Sequence, residues 1–300
     1  MRVICGLMMV LAFATSCKQE VNKEKPSDIK ENKSEITTKE VDTTNMVYFD
    51  GGTITIGSEN GLPNEQATFE KAIEPFYIDK NLVTVAEFRV FVEKTGYVTE
   101  AENFGDSGIF SFETGTWSLI KGANWMLPEG PLKEKANDDH PVTHVSWNDA
   151  RTYAYWLGKR LPTEFEWEFA AKSGEDSSDK YAWGNELVID GEYMANVWQG
   201  NSASTVDVKD GYLLTSPVGV YGETKSGLTD MGGNVWQWCE TIYESNPGSS
   251  TQEPSDPKVR STRGGSFMFD QALENSFTTS FRGKNSVDTS LFNLGFRCAK

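Results

Sequence analysis

Cysteine and histidine are both scarce in this 300-residue chain, which holds four of the first and two of the second. Cys5, Cys17, Cys239 and Cys298 are too few for a disulfide framework. Cys5 and Cys17 stand in the N-terminal segment, so only Cys239 and Cys298 remain to the folded part, where they pair once or not at all. His140 and His144 are four apart, a spacing that suits metal ligands on one helix face. Pro141 lies between them, however, and no helix signal begins before Ser146, so they are expected to order a loop. Positive charge is short as well: 28 Lys and Arg stand against 44 Asp and Glu, for a net charge of −16. That balance repels nucleic acid and anionic membrane lipid, and anionic glycans unless basic residues cluster locally. No nucleic-acid partner is expected. No spacing suggests solenoid repeats, a coiled coil or Rossmann units.

The chain opens "MRVICGLMMVLAFATSC". One Arg precedes an apolar run too short to span a bilayer comfortably, and small residues lead into Cys17. Residues 1–16 are expected to be a signal peptide. The ending "ATSC" resembles a bacterial lipobox, which implies cleavage before Cys17 and lipidation of its thiol; an uncleaved anchor or an ordinary signal peptide is the other reading. Several acyl chains on one residue would hold firmly where a single chain binds only marginally. Residues 18–45 contain no aromatic, and six Lys oppose seven Asp or Glu. Such a segment buries too little apolar surface to order itself. Residues 17–45 are therefore expected to be a disordered tether reaching on the order of 30 Å. It would hold the folded part off a bacterial membrane, at a periplasmic or surface-exposed position, the outer membrane being the expected one.

The rest of the chain carries all nine Trp. "MVYFDGGTITIGSENG" alternates apolar and polar residues and reads as a hairpin of short strands. "EPFYIDKNLVTVAEF" reads as a strand entering a helix. Thr84 and Glu87 make a Thr-x-x-Glu capping box for a helix that Gly96 stops, with Phe88, Phe91 and Val92 on its apolar face. Ser146 with Asp149 and Thr163 with Glu166 open two more helices, the first running to Gly158. Gly-Leu-Pro and Gly-Ser clusters between residues 57 and 135 read as long surface loops, which need metal ions or satisfied polar networks to hold them. The result is an α+β domain with much irregular structure.

Six segments occur in order: "GGTITIGS", "HPVTHVSWNDARTYAYWLGKRLPTEFEWEFAA", "ANVWQG", "SPVGVYGETKSGLTDMGGNVWQWC", "RGGSF" and "NLGFRCA". Together they resemble the formylglycine-generating enzyme family, or sulfatase-modifying factors, over residues 46–300. The resemblance implies a single complex C-type-lectin-like domain. Active members are copper(I) oxidases that convert a sulfatase cysteine to formylglycine with oxygen. Copper(I) is soft and prefers sulfur, and the family holds it between two cysteines, one just after "GGSF-x" and one five residues on. Here those positions are Phe269 and Glu274, and the spacing from Phe269 to Cys298 matches the family without gaps. Phe offers no ligand atom and a lone carboxylate is hard, so copper is not expected. Cys298 resembles a structural cysteine whose family partner would fall at Ala171, and Cys239 matches no active-site position. A related branch, the non-haem iron sulfoxide synthases, needs three histidines, one more than the chain has.

The resemblance places Ser266 and Asn293 beside the active site, with Arg282 and Arg297 as further groove residues; for the arginines, internal salt bridging is the competing expectation. It also implies calcium. One site would use the side chains of Asn196 and Asp210 with the carbonyls of Val197 and Tyr212. A second would use the side chains of Asp230 and Gln237 with the carbonyls of Gly233 and Val235. Oxygen donors from loops suit calcium; the other reading of these residues is turn chemistry. Three functions stand: a tethered non-catalytic binding or scaffold module, a sulfatase-maturation factor or accessory in sulfated-polysaccharide degradation, or an oxidase of unfamiliar chemistry. The expected partners are the membrane, through Cys17, and a protein or sulfatase.

Overall fold

The computed structural model describes residues 41–200, 207–249, 254–269 and 276–300, all within one compact unit. Its strands are short. The first four are β1 (Met46–Phe49), β2 (Gly52–Ile56), β3 (Phe69–Ile73) and β4 (Phe76–Asp79). The expected β1–β2 hairpin is not formed. Instead β1 pairs with β4 and β2 with β3, all antiparallel and in one continuous register. Residues 46–56 thus form a single ribbon with 69–79, interrupted where Asp50 and Gly51 face Glu74 and Pro75. Pro75 has no N–H to give the ladder, and a Cβ on Gly51 would lie 2.4 Å from the Ile73 carbonyl oxygen, so the chain crosses that point only with glycine. Residues 41–45, the end of the expected tether, are bonded to the fold: Lys80 N donates to the Asn45 carbonyl at 3.0 Å.

Four helices follow the capping signals. They are α1 (Val85–Thr95), α2 (Glu100–Phe104), α3 (Trp147–Trp156) and α4 (Glu164–Ala171). The three expected boxes close on both sides at Thr84, Ser146 and Thr163, and Gly96 ends α1 in the left-handed region at φ 67°. The fourth helix and the hairpin of β5 (Asp106–Ser111) with β6 (Thr116–Lys121) lie where long loops were expected. Thr99 and Glu102 form the box that opens α2, and two alternating runs around "ETG" make the hairpin.

The C-terminal half adds the two-residue strands β7 (Val188–Ile189) and β8 (Glu192–Tyr193), then a sheet. That sheet has the order β11 (Arg282–Ser286), β10 (Val259–Arg263), β9 (Trp236–Ile242), β12 (Leu294–Gly295), with β12 parallel to β9 and the rest antiparallel. Successive residues of β9 face opposite ways. Trp238 enters a core with Phe88, Tyr153, Leu161 and Phe296 under α1 and α3, and Cys239 enters a second core with Ile54, Phe76, Trp167 and Phe169 under the ribbon and α4. Three indole N–H groups fasten this wall: Trp167 to Gln237 Oε1 at 2.8 Å, Trp147 to the Cys239 carbonyl at 3.0 Å, and Trp238 to the Val145 carbonyl at 3.0 Å.

Helix α4 carries two buried carboxylates one turn apart. Glu168 accepts from Gly57 N at 2.8 Å, from Lys172 Nζ at 2.9 Å and from the Arg263 guanidinium. Glu164 takes Arg282 in a two-pronged pair at 2.9 Å on each side. Lys172 also donates to the Thr55 carbonyl at 2.6 Å, and Arg263 to the Ser280 carbonyl at 2.7 Å. One helix is thereby bonded to β2, β10, β11 and the segment before β11. Burial alone would raise the Glu168 carboxyl, but Arg263 and Lys172 outweigh it and hold the group below its usual value.

Removing one partner of a buried pair leaves the other charged and unpaired, which costs about 3–5 kcal/mol. Glu168→Gln is therefore expected to lower the denaturant midpoint sharply. Lys225→Ala, which breaks an exposed pair with Glu175, is expected to cost under about 1 kcal/mol. The pH dependence has two limbs. Glu168 is depressed in the folded state, so its contribution is present above the unfolded value near ~4.3 and is lost as pH falls through the lower folded value. Asp149, which burial pushes up to about 6, binds its proton more tightly folded than unfolded, so stability should rise as pH falls from 7 towards 5. Burial raises Glu65 and Asp79 in the same direction. Thermal melts across pH 3–7 should show a maximum on the acidic side of neutrality, and Asp149→Asn should flatten the rise between pH 7 and 5.

Candidate functional site

The site lies where the chain leaves β10. After Arg263, Gly264 and Gly265 take φ values of 91° and 68°, a left-handed turn open to glycine at little cost. The turn drops Ser266 into the interior. There its hydroxyl accepts from Asn293 Nδ2 at 2.9 Å, just before β12. Asn293 Nδ2 also approaches the Met268 sulfur at 3.2 Å, and Asn293 Oδ1 is buried without a partner among the described residues. Phe267 N donates to the Asn234 carbonyl at 2.9 Å and Trp198 N to the Phe269 carbonyl at 2.9 Å, so the whole segment is held by its backbone. Ser266 and Asn293 are thus brought together as the resemblance implies.

Phe269 is the residue that the resemblance puts at the first copper position. Its ring lies 5.4 Å from that of Trp236 and 5.2 Å from that of Phe281, and those two are 5.1 Å apart. The position is filled by a three-ring aromatic contact and presents carbon only. Glu274 falls outside the described residues. Neither described cysteine replaces the missing thiols. Cys239 and Cys298 are free, fully buried and in different cores. Burial pushes both thiols up, so both are held as the protonated form rather than the metal-binding thiolate.

The two arginines do not join the groove. Arg282 is spent on Glu164 and on the Asn64 and Glu244 carbonyls, with its guanidinium 4.9 Å from the Tyr243 ring centre. Internal pairing therefore describes Arg282. Arg297 makes no carboxylate pair: it is fully buried and donates to Gln237 Oε1 at 2.7 Å and to the carbonyls of Asp79, Lys80, Thr229 and Asp230. Burial lowers it to about 10. Both arginines are structural, because the acceptors they meet are a buried carboxylate, an amide oxygen and backbone carbonyls of the fold itself.

The two histidines sit in the loop before α3. His144 is buried at φ 56°, with Nδ1 2.7 Å from Ser107 Oγ and Nε2 2.8 Å from the Pro128 carbonyl. Burial lowers it to about 4, so it is neutral at pH 7. His140 Nδ1 bonds Thr215 Oγ1 at 2.9 Å, and burial lowers this ring as well. Both tie loops together, as the sequence leads one to expect.

The two calcium sets differ. In the first, Asn196 Nδ2 donates to the Leu214 carbonyl at 2.7 Å while Oδ1 is buried without a partner among the described residues. Asp210 accepts from Val197 N at 2.9 Å and Tyr212 N at 3.1 Å, which brings three of the four named residues together, and the Val197 carbonyl accepts from Gln199 Nε2 at 2.8 Å. A carboxylate has about four acceptor positions, so this set retains oxygen to offer a cation. The second set does not fit one. Gln237 Oε1 already accepts from Trp167 Nε1 and from the Arg297 guanidinium, and its Nε2 donates to the Asp230 carbonyl. The Asp230 carboxylate is held by Gly219 N at 2.7 Å and Asn234 Nδ2 at 3.2 Å. A cation there would face a guanidinium. The site residues Gly233 and Val235 then serve the turn into β9, with Gly233 N donating to the Gly264 carbonyl at 2.9 Å.

The hairpin β5–β6 supplies a wall that sequence reading missed. Phe112 stacks on Trp198 at 4.5 Å, and Trp117 and Phe267 meet Phe292, the neighbour of Asn293, at 5.6 and 5.2 Å. Trp117 is half exposed and Leu119 72% exposed. Trp117 thus presents an exposed ring that reaches the buried Ser266–Asn293 pair through Phe292. The alternation of "GIFSF" and "TWSLIK" was the available signal.

Comparison with known proteins agrees with this geometry. A family model described as "Sulfatase-modifying factor enzyme 1-like domain" matches residues 32–300. The chain is 38% identical to the formylglycine-generating enzyme of Streptomyces coelicolor, over 86% of this chain and 89% of that protein. It is 36% identical to the inactive C-alpha-formylglycine-generating enzyme 2 of Bos taurus, over 86% of this chain and 88% of that one. Among solved structures, PvdO from Pseudomonas aeruginosa superposes with a TM-score of 0.63 over 85% of this chain and 93% of its own, at 23% identity, and so speaks for the fold alone. With the ordered motifs, the turn after β10 and these relatives in agreement, the chain belongs to the sulfatase-modifying factor family.

Proposed function

We propose that this protein is a membrane-tethered, non-catalytic binding module of its family. The observation that carries the reading is Phe269: the residue that would hold copper by sulfur is packed between Trp236 and Phe281. Formylglycine chemistry needs a thiolate pair to hold the metal and exchange with substrate. Removing one member of a unit that acts together costs nearly the whole rate, and the chain has no cysteine at either position. What remains is an intact frame with the exposed Trp117 ring at its edge, which suits binding rather than reaction. The family's inactive members give the reading a precedent among relatives. The competing reading is a sulfatase-maturation factor, as the names of other relatives would have it. Incubation with copper(I), oxygen and a Cys-x-Pro-x-Arg peptide separates the two by mass spectrometry. No formylglycine is expected; copper-dependent turnover would overturn the proposal. Phe269→Cys with Glu274→Cys is expected to bind copper(I) where the parent does not.

Calcium belongs to the proposal as a structural cofactor held by Asn196, Val197, Asp210 and Tyr212. A cation bound only by the native state adds RT ln(1 + [L]/Kd), about 2.7 kcal/mol at 100 Kd. Chelation should lower the melting temperature, calcium should restore it, and Asp210→Ala should remove most of the response. A melt indifferent to chelator would count against the site.

Cys17 is proposed as the lipid anchor. It lies outside the described residues, and no helix among the described residues is long and apolar enough to cross a membrane. Cys17→Ser should release the chain from the detergent phase or stall its processing. Unchanged partitioning would rule out anchoring through this residue.

A further inference from the structure

A cavity of about 330 Å³ opens beside the C-terminal turn of α3, remote in sequence from the Ser266–Asn293 site. Its apolar wall includes Val90 of α1 and Tyr153 and Trp156 of α3. Its size is in the range of small-molecule sites, which are mostly apolar with a few placed polar groups. Its roof is the segment where the chain enters the fold: Asp42 and Asn45 line it, and Val41 packs so close to Gly158 that a Cβ there would lie 2.9 Å from it.

Three features of the lining point to one kind of ligand. The first is charge. Asp42, Asp79 and Glu87 are the carboxylates of the lining and Lys159 its one ammonium. Lys159 is already paired with Asp79 at 2.6 Å, and Asp79 also accepts from Cys298 N at 3.0 Å. The second is Glu87. It stands exposed at the mouth and spends Oε2 on the α1 cap, accepting from Thr84 N and Oγ1 at 2.9 and 2.8 Å, while Oε1 has no hydrogen-bond partner among the described residues and faces solvent. The third is Tyr153, only 4% exposed, whose hydroxyl has no hydrogen-bond partner among the described residues either. Burial of that phenol pushes its pKa up, so it stays a neutral donor and acceptor. Trp156, 37% exposed, adds a ring face at the mouth. Ring faces attract cations.

We propose that this cavity binds a small amphipathic amine, its apolar body against Val90, Tyr153 and Trp156 and its ammonium on Glu87. An anion would meet the unpaired carboxylates of Asp42 and Glu87, whereas an ammonium gains a charge-assisted contact at the mouth that a neutral ligand lacks. This inference is independent of the reading of the family site.

The test compares three probes of one size on the purified chain, benzylamine, benzyl alcohol and phenylacetate, by tryptophan fluorescence and calorimetry. Benzylamine should saturate a single site. Benzyl alcohol should bind roughly tenfold more weakly, the difference between a charge-assisted and a neutral hydrogen bond. Phenylacetate should not bind measurably. Glu87→Gln keeps a residue able to close the capping box, so the fold and melting temperature should hold while the preference for the amine over the alcohol disappears. Tyr153→Phe should weaken benzylamine without changing the core rings. Equal affinity for amine and alcohol, an unchanged preference in Glu87→Gln, or no saturable binding of benzylamine would each overturn the proposal.

Discussion

The pairing of Glu168 with Arg263 and Lys172 is the constraint on which the site depends. Arg263 is the last residue of β10, and the turn that delivers Ser266 begins at the next position. Its guanidinium is fully buried and also donates to the carbonyls of Ser280 and Phe281, so one side chain fixes the end of β10 and the segment leading to β11. Glu164, one turn before Glu168, binds Arg282 at the start of β11. Two carboxylates on one face of α4 therefore hold both flanks of the site. A buried pair is seldom a net source of stability, because desolvation offsets its attraction. What it supplies here is position, since it ties α4 to the end of β10 at a single point.

The same economy explains why the frame persists where cysteine is absent. The turn at Gly264 and Gly265, the Ser266–Asn293 bond and the backbone bonds of Phe267 and Phe269 draw on no metal. An aromatic at 269 adds ring contacts with Trp236 and Phe281, each such pair worth about 0.5–1.5 kcal/mol beyond area burial. Phe269 thus contributes packing and no reactive group at this place. Met268 and Asn293 Oδ1, unpartnered among the described residues, mark what polarity is left.

Charge is used differently inside and out. The surface carries the acidic excess, while the described interior takes its cations as fixed donors: Arg263, Arg282 and Arg297 to carboxylates or carbonyls. Arg297 alone gathers five acceptors across Asp79, Lys80, Thr229, Asp230 and Gln237, which joins the end of β4 to the loop before β9. An arginine that looks like a groove residue in sequence is, in space, a clamp.

Local chemistry was legible in the sequence. A capping box is four residues long and acts within itself, so Thr84, Ser146 and Thr163 announced their helices, and Gly96 its stop. That position 269 carries no thiol was equally plain, since the residue type is read directly. Pairings between distant segments were not legible. That β1 takes β4 rather than β2 depends on Pro75 and Gly51 meeting across the ribbon. That Arg282 and Arg297 turn inward depends on Glu164 and on carbonyls contributed from far along the chain. Likewise Gln237 reads as a metal ligand until Trp167 and Arg297 are found on its oxygen. The sequence determined which residues could react, because reactivity is carried by the side chain itself; tertiary structure decided which residues face the site, because each polar group goes to the partner that satisfies it, wherever in the chain that partner lies.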